Sequence, residues 1–146
     1  NVIADGLNHV TKWLDPNRPL YPCDVSPEKY KNTCYLMQTS YMLKINGGDF
    51  IKTFAWCRDA ESYTNTCHQS LGRDASGRNS SDITRTHDLC VLGGNETEVT
   101  NCVIGAVKDI ISYYHSDVQA QSFCNLFNEP IKQTCQDTSR VYYASF

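Results

Sequence analysis

The sequence lacks a long hydrophobic run, because no stretch approaches the roughly 20 consecutive apolar residues that span a bilayer. It also lacks a concentration of positive charge. Its 13 Lys and Arg residues are scattered among 16 Asp and Glu residues, which gives a net charge of −3. Nucleic-acid phosphates are bound by clustered basic surfaces. We therefore expect neither membrane insertion of this segment nor a nucleic-acid partner.

Motifs that carry chemistry are also missing. The sequence contains no G-x-S-x-G nucleophile motif, no C-x-x-C-H haem motif and no H-E-x-x-H metal motif. We expect no cofactor and no metal site, and we favour a non-enzymatic protein. Two alternatives stay open: an enzyme of unknown class, or a small-ligand or haem carrier that uses a histidine and the Tyr-rich C-terminal end. The residues to test first for the enzyme are Arg73, Asp74, His87 and Asp88.

Eight cysteines stand out in a chain of 146 residues. Their number is even, and their spacing is unlike the C-x2-C pairs of zinc sites, so disulfides are expected. Disulfides indicate an extracytoplasmic compartment, secreted or periplasmic. The N-terminus, Asn1-Val-Ile-Ala-Asp, does not resemble a signal peptide, and we expect a mature or trimmed end. The sequons at Asn79 and Asn95 are possible glycosylation sites.

The cysteine spacing reveals an internal repeat. Short gaps of 9 to 11 residues alternate with long gaps of 21 or 22, so that alternate cysteines recur about every 33 or 34 residues. Periods of this length are typical of arrays of helical hairpins. The cysteines lie at positions 23, 34, 57, 67, 90, 102, 124 and 135.

The pattern predicts a single all-α domain over residues 1–146, α-solenoid-like and with essentially no β-sheet. Each unit is expected to be a hairpin of a first and a second helix. Helix N-cap residues open the expected second helices at Asp49, Asp82 and Ser116, and each of these helices runs to a cysteine. The expected first helices contain the other cysteines. The predicted elements are an N-terminal helix at 1–15 and about four units at 24–57, 58–90, 91–124 and 125–146.

The layout also predicts how the cysteines pair. Each short gap spans a turn between antiparallel helices, which brings sequential cysteines together. Closing such a loop is worth about 2.5–3 kcal/mol on the chain-entropy model. The predicted disulfides are Cys23–Cys34, Cys57–Cys67, Cys90–Cys102 and Cys124–Cys135.

This period resembles that of the tetratricopeptide superfamily, particularly its cysteine-rich secreted relatives. The family's first-helix pattern W-x2-L-G-x2-Y is similar to His68-x2-Leu71-Gly72-x2-Ala75, and the proline that usually closes each unit is absent. The resemblance covers residues 24–146 and implies a curved array that presents a groove to a partner. The same first-helix spacing recurs at Tyr35, Gln38, Thr39 and Met42 and at Val103, Ala106, Val107 and Ile110. The family's A-x3-F is similar to Thr53-x3-Cys57, Thr86-x3-Cys90 and Ala120-x3-Cys124.

Two charged pairs occupy equivalent positions in the repeat. Arg73-Asp74 and Lys108-Asp109 both lie six and seven residues after a first-helix cysteine, so they are expected on one continuous face. That face would bind a protein partner, although ordinary surface salt bridges worth about 0–1 kcal/mol would also explain the charges. Tyr142 and Tyr143 form a second candidate docking edge, or cover the core of the last unit. The favoured function is an extracytoplasmic interaction or assembly module with an unidentified protein partner.

Two glycines fall inside the predicted first helices. Gly72 and Gly105 each cost a helix about 1 kcal/mol relative to alanine, so close approach of a neighbouring helix is expected at both. A Gly105→Leu substitution should then destabilise the fold by overpacking, by roughly 1–3 kcal/mol.

Overall fold

A computed structural model describes residues 17–79 and 82–146, and the predicted N-terminal helix at 1–15 lies outside these ranges. The described chain contains seven α-helices and no strand, which confirms the all-α prediction. Two 3₁₀ turns, Cys23–Val25 and Glu61–Tyr63, precede α1 and α3. The helices are α1 (Glu28–Ile45), α2 (Phe50–Cys57), α3 (Thr64–Arg78), α4 (Ile83–Cys90), α5 (Glu96–Tyr114), α6 (Val118–Cys124) and α7 (Ile131–Ala144).

The second helices begin where the sequence supplies caps. The Asp49 carboxylate accepts a hydrogen bond from the Lys52 backbone N–H at 2.9 Å, and Asp82 accepts from Thr84 and Arg85. Such contacts satisfy backbone donors that have no partner within the helix. The last of these helices, α6, starts one residue later than predicted, after Asp117.

The helices form two layers. The first helices α1, α3, α5 and α7 pack side by side in chain order, and the shorter α2, α4 and α6 pack against one side of that row. In the first three units, the residues one, four, five and eight positions after the first-helix cysteine are all buried. These buried residues are Tyr35, Gln38, Thr39 and Met42, then His68, Leu71, Gly72 and Ala75, then Val103, Ala106, Val107 and Ile110.

The disulfides join the four sequential pairs that the repeat predicts. Three of them tie the end of a second helix to the next first helix, and Cys23–Cys34 ties the first 3₁₀ turn to α1. Four intramolecular disulfides indicate an oxidising, extracytoplasmic environment. Within the described ranges, no helix is long and apolar enough to cross a membrane.

The backbones of α3 and α5 meet at two buried glycines. A Cβ atom on Gly72 would overlap the carbonyl oxygen of Cys102, and one on Gly105 would overlap the carbonyl oxygen of Gln69. The expected close approach is confirmed at both positions. These two central helices therefore form a closely packed pair, which fixes the spacing of the side chains on their outer face.

Candidate functional site

The row of first helices has an outer face, on the side away from α2, α4 and α6, and this face carries a continuous groove. Three adjoining depressions, of about 360, 310 and 410 Å³, run across it from α1 to α7. The first two share Leu36, Arg73 and Asp109, and the last two share Lys108 and Tyr142. No lining residue comes from α2, α4 or α6. The groove therefore lies on the face that the second helices leave uncovered.

The lining residues occupy the same positions in every unit. They lie two, three, six, seven and ten residues after the first-helix cysteine, and the first unit contributes the first three of these positions. The repeat thus determines which side chains face the groove. They are Leu36, Met37 and Ser40; Gln69, Ser70, Arg73, Asp74 and Gly77; Ile104, Gly105, Lys108, Asp109 and Ser112; and Asp137, Thr138, Val141, Tyr142 and Ser145.

Two cations line the central depression. Arg73 is exposed, and its guanidinium donates a long hydrogen bond of 3.5 Å to the carbonyl oxygen of Leu36. The Lys108 ammonium lies 6.0 Å from the ring centroid of Tyr142. Neither cation forms an ion pair within residues 17–79 and 82–146. Both are therefore available to an anionic group that enters the groove.

The predicted partner of Arg73 has a different environment. Asp74 is half-buried, and its carboxylate accepts hydrogen bonds from the hydroxyls of Thr39, at 2.5 Å, and Ser40, at 2.8 Å. Burial raises the pKa of Asp74, against the opposing effect of these two hydroxyls. Asp74 thus ties α3 to α1. Asp109, the aspartate of the Lys108-Asp109 pair, has no comparable hydrogen bond to a described residue.

The two C-terminal tyrosines, Tyr142 and Tyr143, have different environments. Tyr142 lines the groove, and its hydroxyl lies 3.1 Å from that of Ser112. Tyr143 lines none of the three depressions and is 43% exposed. It occupies the eighth position after its cysteine, which Met42, Ala75 and Ile110 fill as buried residues in the preceding units. Its exposure follows from its place in the last described unit.

The residues proposed for an enzyme fall on different layers. Arg73 and Asp74 line the groove, whereas His87 and Asp88 lie on α4. The His87 ring packs against Phe127, with centroids 4.8 Å apart, and its Nδ1 lies 3.0 Å from the Asp88 carboxylate. Packing accounts for this histidine. In the described part of the chain, no three His, Cys, Asp or Glu residues are grouped as a metal site would require.

The two sequon asparagines also differ. Asn95 is exposed and caps α5 through its side-chain oxygen, which accepts from the Glu98 backbone N–H at 2.9 Å. Asn79 is half-buried, and its amide nitrogen donates to the carbonyl oxygen of Ala75 at 2.8 Å. Of the two amide nitrogens, that of Asn95 makes no hydrogen bond to the described residues.

The burial of one ionisable side chain, His68, was not predicted from the sequence. The His68 ring is fully buried beside Phe54, and its Nε2 lies 3.1 Å from the Phe54 carbonyl oxygen. A carbonyl only accepts, so Nε2 carries the proton and donates. Nδ1 has no partner in the described residues. Burial lowers the pKa of His68, which keeps the ring neutral.

Comparison with known proteins gave no match to a family model, and no significant match among curated proteins or solved structures.

Proposed function

We propose that the protein is a secreted or periplasmic interaction or assembly module, without catalytic activity, whose groove binds a protein partner. The observation that supports this proposal is the repetition of the groove positions. The same five positions of the last three units line one surface together with three of them from the first unit, so a single repeat rule produces an elongated binding site rather than a compact pocket. Stacked repeats build extended binding surfaces in this way.

The disulfides and the close packing of α3 against α5 support the same function. Each disulfide connects successive elements of the array, and α3 and α5 pack backbone to backbone at Gly72 and Gly105. Such a scaffold holds the groove side chains in fixed relative positions before a partner arrives. Preorganisation of this kind lowers the entropy lost on binding.

Reversing the two groove cations is expected to abolish most partner binding. The double variant Arg73→Glu, Lys108→Glu places two negative charges in the central depression, and its capture of the partner from native extract should fall by about tenfold or more. The matched control is Lys52→Glu, Arg85→Glu, which makes the same change in net charge at exposed residues of α2 and α4. Both variants should keep the helical circular-dichroism signal of the unmodified protein.

Equal capture by the groove variant and the control would show that Arg73 and Lys108 belong to a solvated surface. In that case the exposed aromatic residues at the C-terminal end, including Tyr143, become the next surface to test.

A further inference from the structure

The central depression of the groove is positive, because Arg73 and Lys108 line it with Asp109 alone, whereas the chain as a whole is negative. Three aspartates line it, and two are already engaged: Asp74 accepts from Thr39 and Ser40, and Asp137 accepts from Arg140 and Gln133. Asp109 has no hydrogen bond or ion pair within the described residues. The central depression therefore holds two cations and one anion, none of which forms an ion pair with a described residue, on a chain whose net charge is −3.

Each end of the groove carries an exposed apolar side chain. At the α1 end, Met37 is 69% exposed, and at the α7 end Val141 is 61% exposed beside Ile104. Exposed side chains of this kind gain free energy when a partner covers them, at about 25 cal/mol per Å² of apolar surface buried. Apolar contacts are thus available on both sides of the charged centre.

From this pattern we infer that the groove takes an extended peptide segment in which an acidic side chain is flanked by apolar side chains. The carboxylate binds between Arg73 and Lys108, and the apolar neighbours cover Met37 and Val141. This inference rests on the proposed function and specifies the chemistry of the partner. A carboxylate beside two cations forms charge-assisted hydrogen bonds, which are stronger than those between neutral groups.

Asp109 distinguishes such a segment from a polyanion. Its carboxylate lines the same depression as Arg73 and Lys108, and it repels a dense row of phosphates or sulfates. A peptide backbone N–H, in contrast, can donate to it. The groove therefore favours one acidic side chain on a peptide over a nucleic acid or a sulfated polysaccharide.

Selection from a random peptide library on the intact, oxidised protein tests the inference without a known partner. We expect the enriched sequences to contain Asp or Glu flanked by apolar residues. Replacing the acid of an enriched peptide by its amide should weaken binding by about tenfold or more. The Arg73→Gln, Lys108→Gln variant should lose the same peptides, whereas the control Lys52→Gln, Arg85→Gln should retain them.

The outcomes separate the two proposals. Enriched peptides that are basic or uncharged but still depend on the groove would overturn the acidic segment and leave the proposed function intact. Tighter binding of heparin or single-stranded DNA than of any enriched peptide would overturn it too. If the library yields no binder that depends on the groove, or only binders that protect α2, α4 and α6 in hydrogen exchange, both proposals fail.

Discussion

Gly105→Ala is expected to lower the free energy of unfolding by about 1–3 kcal/mol, whereas Gly77→Ala is expected to raise it by up to about 1 kcal/mol. The two substitutions are chemically identical and both lie within first helices. They differ in what the new methyl group meets. At Gly105 it overlaps the backbone carbonyl of Gln69, and at Gly77 the nearest atom is an Asp109 carboxylate oxygen at 4.0 Å.

The large loss at Gly105 follows from the rigidity of its neighbour. A flexible side chain could move aside, but the overlapping atom belongs to the backbone of α3, so the two helices must separate. Separation would also open the buried contacts on either side of the crossing, including those of Leu71 and Ala106. The gain at Gly77 has a different origin, because alanine restricts the unfolded chain more than glycine does.

Urea denaturation of both variants measures these changes through the midpoint, provided that the slope is unchanged. A Gly105→Ala protein as stable as the parent would contradict the close approach of α3 and α5. A destabilised Gly77→Ala protein would indicate that the end of α3 is packed more tightly than the structure shows.

Acidification is expected to destabilise the protein in two separable steps. His68 has its pKa lowered by burial, so below about pH 6.5 the unfolded chain gains a proton that the folded chain does not, and stability falls with pH. Glu98, 6% exposed, has its pKa lowered by the hydrogen bonds from Arg58. Its contribution is complete above about pH 4.3 and is lost as pH falls further.

The ion pair between Arg58 and Glu98 does not restore the lowered pKa of His68. Glu98 and Arg58 act on the imidazole with opposite signs, the carboxylate raising its pKa and the guanidinium lowering it, so burial decides the direction. A His68→Gln variant keeps a donor for the Phe54 carbonyl but cannot titrate. Its free energy of unfolding should therefore depend less on pH between about 7.5 and 5.5 than that of the parent.

Unfolding curves at a series of pH values check this prediction, and the slope of stability against pH is the readout. The absolute stability of the variant does not matter to the comparison. Identical slopes for His68→Gln and the parent would show that burial does not lower the pKa of His68 in the folded protein.

Much of the architecture could be predicted because it is local in sequence. The cysteine period locates the hairpins, and the caps at Asp49 and Asp82 depend on backbone groups two or three residues away. Gly72 and Gly105 were identifiable for a related reason: a glycine inside a helix is unfavourable unless another backbone lies close to it.

The details of the site depend on contacts between units. Asp74 meets Thr39 and Ser40, which are 35 and 34 residues away, and no pattern within α3 indicates that they converge. The burial of His68 likewise depends on Phe54 from the preceding helix. The groove positions had a signal in the sequence, the fixed offsets from each cysteine, but only the geometry shows which offsets face outward.

Site-specific photocrosslinking tests most directly whether the partner binds the first-helix face. A photoreactive amino acid is placed at Met37 or Val141, at the two ends of the groove, and in control proteins at Ile51 or Val118, on α2 and α6. All four positions are apolar and between 61% and 69% exposed, so their intrinsic chance of reaction is similar. We expect crosslinks to the partner from Met37 and Val141 and none from Ile51 or Val118. Crosslinks from Ile51 or Val118 alone would show that the partner binds the second-helix layer, and would contradict the assignment of the groove.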